Sequence, residues 1–188
     1  MPSKAENPTL KMHQRRAEAR LFYANTPTPQ HPNTMDTLTI VPFHADHRQA
    51  FLDLNRAWLE ELFLMEPYDL EVLSEPESMV LEGGGQIFFG LLDGQAVATF
   101  ALTPRGNGIM ELNKMAVHKD HRSRGFGHQL MTFVVDHCKA MGLASLELYS
   151  HTKLGSAIHL YRKFGFVETP LPKDCVYERA NIRMVFRG

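Results

Sequence analysis

Apolar residues along the chain alternate between the two-residue spacing of a strand and the 3.6-residue spacing of a helix. Residues 38–42 read as a strand. Residues 46 to about 64 read as a helix, with Phe51, Leu52, Leu54, Trp58 and Leu62 near helical spacing. A loop or short-helix region carrying Pro67, Pro76 and Gly83-Gly84-Gly85 follows. Residues 86–92 and 95–103 then form a hairpin about Asp93-Gly94, a strong turn pair. Arg105-Gly106-Asn107-Gly108 turns the chain into a strand over 109–117. The clearest helix spans 125–141, with Leu130, Val134, Cys138 and Met141 on one stripe. A short strand at 145–150 precedes a helix marked by Leu154, Ala157, Leu160, Tyr161 and Phe164 and ended at Gly165. Strands at 166–168 and 181–186 complete the set. The pattern predicts an α/β (α+β) domain: a mixed, mostly antiparallel central sheet flanked by helices.

Composition narrows the class. A chain of 188 residues suits one domain with a proper core, residues 36–188. No uninterrupted apolar run approaches the roughly 20 residues a membrane helix needs, so no membrane partner is expected. Cys138 and Cys175 are too few for a disulfide scaffold and have no metal-ligand spacing, so we read reduced thiols and a cytoplasmic protein. Residues 1–35 are polar, hold five prolines and have few β-branched residues, as in a disordered tail. Met35 directly precedes the first strand, so an over-extended start explains the segment equally well, and its basic residues leave an organelle presequence as a third reading.

Between the fourth strand and its following helix lies Arg122-Ser123-Arg124-Gly125-Phe126-Gly127, an R-x-x-G-x-G stretch. Its glycines let the backbone turn sharply, and the first N–H groups of the helix and its positive dipole end meet at one point, which suits a phosphate. A dinucleotide-binding reading fits worse, because no G-x-G-x-x-G follows the first strand. Downstream, Ala157-x-x-x-Tyr161-x-x-x-Gly165-Phe166 closes the pattern. Strand, loop and helix in this order resemble the GNAT superfamily of N-acetyltransferases over residues 37–187. The resemblance implies the acyl-CoA N-acyltransferase fold and acetyl-CoA as cosubstrate, with no metal. It implies that Met115, Ala116 and Val117 pair with the pantetheine arm, and that Arg122, Ser123, Arg124, Gly125, Phe126, Gly127 and His128 hold the phosphates. It leaves a homodimer open.

Charge is segregated. Residues 57–104 hold nine acids and no Lys or Arg, whereas residues 105–188 hold thirteen Lys and Arg against seven acids. The basic half contains the phosphate loop, where a polyanion would be steered. In the resembled family the acceptor enters on the acidic side, so a cationic amine, small molecule or peptide, is the expected partner; a solvated acidic surface explains the same pattern. Residues 36–188 carry fifteen basic and nineteen acidic residues, the reverse of a nucleic-acid footprint.

Acetyl transfer needs a neutral amine, and an amine titrating at about 10.4 must lose a proton first. Strict alternation puts Glu111, Asn113, Met115 and Val117 on one strand face, and Glu111 is the only acid in that strand. In the resembled family a glutamate at the matching place acts as base. A glutamate with no role beyond solvation is the alternative, and His118 is another base. Tyr161 matches the family tyrosine that protonates the departing thiolate; packing on its helix stripe is the other reading. Many relatives carry an asparagine seven residues before that tyrosine; here the position is Leu154, with Thr152 or Lys153 as substitutes. His121, His128, His151 and His159 have no metal spacing. The expected activity is direct acetyl transfer to a primary amine in a ternary complex, with a non-catalytic acyl-CoA sensor as the alternative.

Overall fold

The computed structural model describes residues 36–173 and 175–188. The reading of residues 1–35 as a tail or over-extended start lies outside them. Seven strands form one sheet in the order β1-β2-β3-β4-β5-β7-β6. They are β1 (Thr39–Pro42), β2 (Gln86–Leu92), β3 (Gln95–Gly106), β4 (Ile109–Val117), β5 (Ser145–Ser150), β6 (Phe166–Thr169) and β7 (Ile182–Phe186). Every pairing is antiparallel except β4 with β5. That single parallel step needs a crossover, and helix α3 (Phe126–Ala140) supplies it.

Helices α1 (Arg48–Leu62) and α2 (Pro67–Ser74) cover one face of the sheet, while α3 and α4 (Gly155–Lys163) cover the other. On the first face Phe51, Leu59, Val72 and Leu73 bury against Ile87, Phe89 and Ala101. On the second, Leu130, Met131, Val134 and Ile158 bury against Phe100, Leu112, Leu148 and Met184. Alternate strand residues feed opposite cores, so the sheet is wet on neither side.

The expected elements are present, with local differences. A short 3-10 turn at Ala45–His47 occupies the expected start of the first helix. The proline-rich region contains α2, with Pro67 in its first turn, and a π-turn at Glu77–Leu81. Strand β3 runs three residues past its expected end at 103, to Gly106.

One difference reorganises the centre of the molecule. Thr99 pairs with Ala116 and Ala101 with Asn113, so β4 spends two residues where β3 spends one. The extra residue is a bulge at Lys114, whose φ of 50° is left-handed. Parity therefore flips within the strand. Met110 and Leu112 join the α3 core, and past the bulge Met115 and Val117 pack against that same core. Glu111 and Asn113 face the other side, so the expected shared face of Glu111, Asn113, Met115 and Val117 does not form; strict alternation fails at the inserted residue.

Candidate active site

The β4–β5 ladder is short. It pairs Ile109 with Ser145, Met110 with Leu146 and Glu111 with Glu147, and goes no further. Beyond these pairs a cavity of about 640 Å³ lies along β4, β5, α3 and α4. Its walls include Met115, Ala116 and Val117. The His118 N–H donates to the Val97 carbonyl (2.8 Å), so alternation aims the Val117 N–H into the opening rather than at β3.

At the mouth of the cavity the chain enters α3 through two left-handed residues, Ser123 (φ 63°) and Gly125 (φ 83°). Gly125 is the N-cap, and no side chain caps it. The first turn of the helix thus presents backbone N–H groups of residues 126–128 with the positive dipole end behind them. A Cβ on Gly125 would meet nothing within 4 Å, so that glycine is needed for its φ. A Cβ on Gly127 would come within 3.2 Å of the Leu160 side chain, so that glycine lets α3 and α4 approach closely.

Arg122, Ser123, Gly125, Phe126, Gly127 and His128 line the cavity. Arg122 is held at the rim by Glu61 of α1 (Nη1 to Oε2, 3.1 Å). Arg124 is not in the lining; its guanidinium pairs with Asp36, contacts His121 Nδ1 (2.6 Å) and stacks over the Phe126 ring. The open edge of β4, the uncapped helix turn and the basic rim suit an extended thiol-linked arm ending in a diphosphate. Acetyl-CoA fits these residues on that ground.

Glu111 lines the inner end of the cavity and is 0% exposed. Arg105 Nε donates to its Oε2 (2.6 Å), while the Tyr177 hydroxyl (2.8 Å) and Asn113 Nδ2 (3.2 Å) donate to Oε1. Glu147, beside it in register on β5, is paired with Arg183 and accepts from the Tyr149 hydroxyl (3.4 Å). The fork therefore has two buried carboxylates at its apex, each with an arginine and a tyrosine. Burial and the Glu111 charge push the Tyr177 phenol well above its ordinary value. Tyr161 lines the opposite wall, where burial pushes its phenol up to about 12. Leu154, at the asparagine position, also lines the cavity. His118 is not in the lining and caps the turn after β4 instead.

Sequence reasoning missed Tyr177, Arg105, Glu147 and a buried ion cluster. In that cluster Asp69 (0% exposed) accepts from Lys114 Nζ (2.6 Å) and from both Arg179 terminal nitrogens (2.5 and 3.1 Å). The segregated acids are mostly partnered in space: Glu60 with Arg56, Glu61 with Arg122, Glu66 and Asp69 with Arg179, and Glu75 and Glu77 with Arg48. The acidic segment is thus not a free negative surface. Among the described residues no cluster suits a metal ion, and no helix is long and apolar enough to cross a membrane.

The model of the acetyltransferase (GNAT) family matches residues 48–166, which run from α1 through β2 to β5 and α4 and include the turn into α3. A ribosomal protein bS18-alanine N-acetyltransferase of Escherichia coli strain K12 is 28% identical over 93 residues, which is 50% of this chain and 63% of that protein. The chain thus spans less than two thirds of the length of that curated relative. A GNAT acetyltransferase from Staphylococcus aureus Mu50 superposes with a TM-score of 0.71 at 22% identity, over 79% of this chain and 98% of that one. A GNAT acetyltransferase from Elizabethkingia anophelis with acetyl-CoA bound superposes with a TM-score of 0.56 at 20% identity, over 80% of this chain and 98% of that one. The chain belongs to the GNAT acetyltransferase family.

Proposed function

We propose that the protein moves the acetyl group of acetyl-CoA to a primary amine by direct attack in a ternary complex. The observation that carries this reading is the fork itself: phosphate-binding groups at one end, a buried glutamate at the other, and an unpaired strand edge between them. The phosphates sit on the α3 turn and Arg122, and the arm extends along Met115, Ala116 and Val117. The Val117 N–H is placed to stabilise negative charge on the carbonyl oxygen as the amine nitrogen attacks. Glu111 takes the amine's proton, and Tyr161 faces the departing sulfur. A thiol titrating at about 8.5 lies well below a phenol at about 12, a gap worth about 5 kcal/mol against complete proton transfer. Tyr161 therefore acts chiefly as a hydrogen-bond donor to the thiolate.

The expected cationic acceptor keeps less support than the segregated charges gave it, because most of those acids are neutralised within the chain. The inner walls are aromatic, with Trp58, Phe63, Tyr149 and Tyr177. Amines with an apolar body and protein N-termini are the better-supported acceptors, and the E. coli relative acts on a protein alanine. Incubation of the full chain with acetyl-CoA and phenethylamine, spermidine or an alanine-initiated peptide, read by mass spectrometry, tests the reading. Acetylation of phenethylamine or the peptide is expected; no product from any of the three refutes it.

A further inference from the structure

Glu111 reaches the cavity but offers almost no surface to a bound amine: its side chain is 1% exposed and both carboxylate oxygens are occupied. A base in that position needs an intermediary. Of its three partners, Arg105 carries only donors and is not in the cavity wall. The Asn113 amide nitrogen has no free lone pair with which to receive a proton. The Tyr177 hydroxyl alone both donates and accepts, touches Glu111 Oε1 at 2.8 Å, and belongs to a residue lining the cavity.

We propose that Tyr177 is a catalytic residue that relays the acceptor's proton to Glu111. This rests on the reading of Glu111 as the base. The acceptor arrives as an ammonium: one N–H bond breaks, its proton passes to Tyr177 Oη, and the freed lone pair bonds to the carbonyl carbon. The second N–H proton leaves with the departing thiolate as the thiol. The Tyr177 O–H bond breaks in the same motion, and its hydrogen goes to Glu111 Oε1. Tyr177 is neutral before and after, Glu111 ends as the neutral acid, and no free phenolate forms. The reverse shift returns the proton to water in the emptied cavity.

The surroundings suit a relay that must not wander. The Tyr177 ring lies 5.6 Å from that of Tyr68, edge-on, and 6.0 Å from that of Tyr149. Lys114 Nζ and the Arg179 guanidinium sit over it at 5.4 and 5.7 Å. Tyr177 is only 7% exposed, so bulk water does not easily take its place.

The test compares Tyr177→Phe, Glu111→Gln and the double variant with the parent, using whichever of phenethylamine, spermidine and the alanine-initiated peptide is turned over fastest. Tyr177→Phe keeps the ring and should leave the acetyl-CoA dissociation constant unchanged. It should lower kcat/KM about 100-fold at neutral pH, with the loss shrinking as pH rises and the amine deprotonates unaided. The double variant should be no slower than the slower single, because both groups serve one proton path. In mixed light and heavy water the parent rate should bow, with two hydrogens in flight, and the Tyr177→Phe rate should be linear. Loss in Glu111→Gln with parental activity in Tyr177→Phe overturns the relay alone. So does a Tyr177→Phe loss that is independent of pH, multiplies with the Glu111 loss, or accompanies a linear parental inventory. Parental activity in Glu111→Gln, or no turnover of any of the three amines, removes the base and the relay with it.

Discussion

Asp69→Asn removes the buried carboxylate at the centre of a largely buried ion cluster. Asp69 is fully buried, and Lys114 has 3% of its side chain exposed. Burial disfavours the Asp69 carboxylate, yet hydrogen bonds from Arg179 and Lys114 outweigh it and hold the carboxyl below its ordinary value. Burial pushes the Lys114 ammonium down, and Asp69 partly offsets this. Breaking such a buried pair from one side costs about 3–5 kcal/mol, since the remaining charge is left uncompensated. At about 2–4 °C per kcal/mol for a chain of this size, the thermal midpoint should fall by about 6–20 °C. Lys114→Met should cost less, about 1–2 kcal/mol, because Asp69 keeps its two Arg179 contacts. The deficit of Asp69→Asn should shrink between pH 7 and pH 10. In that variant the buried Lys114 binds its proton less tightly than the unfolded chain does, so stability rises with pH. Urea unfolding followed by the fluorescence of Trp58, the single tryptophan, reads all of these. Asp69→Asn within 1 kcal/mol of the parent, or Lys114→Met costing more than Asp69→Asn, would refute the view that Asp69 is the centre of the cluster; about 3 kcal/mol is the least that view allows.

Gly125→Ala forces an alanine into a left-handed conformation, so stability should drop by about 1–2 kcal/mol and acetyl-CoA affinity with it. Gly127→Ala should do less, since the Leu160 side chain can give way; calorimetric titration showing the opposite order would count against the loop assignment. Glu111→Gln should lower turnover about 100-fold at neutral pH and less at pH 9, and a flat ratio across that range would exclude a base role. Tyr161→Phe should lower kcat about 10-fold to 100-fold with the acetyl-CoA dissociation constant unchanged. Because Tyr161 stays protonated up to about pH 12, that ratio should not vary between pH 6 and 10; a parental kcat would remove Tyr161 from the reaction.

The helices and strands were legible because burial imposes a period on each, and Phe51, Leu130 and Leu148 sit where that period puts them. The turn into α3 was legible because its signal is local: two glycines at one helix start. The bulge at Lys114 was not, because Glu111-Leu112-Asn113-Lys114-Met115-Ala116-Val117 alternates well enough to pass for a regular strand. Only the β3 partners reveal the inserted residue. Tyr177 lies in a loop with no period, 66 positions from the carboxylate it touches. Asp69 and Arg179 are 110 positions apart, so counting charges by segment saw an acidic half where the fold makes ion pairs. Glu147 escaped notice for a related reason: its neighbour across the sheet is Glu111, and parallel register cannot be read from one strand at a time.

Among the described residues the strand ladder between the four-stranded and three-stranded halves of the sheet has three residue pairs. Mechanically, this makes the apex at Glu111 and Glu147 a hinge pin and the cavity the space between two blades. A chain-like molecule lying along the β4 edge fills the missing strand position, so it acts as a splint as well as a reactant. In the proposed complex the pyrophosphate end is held by α3, which packs on strands of both blades. In that complex the sheet is more continuous than in the empty protein, and the acceptor would meet a wall that its co-reactant has helped to build.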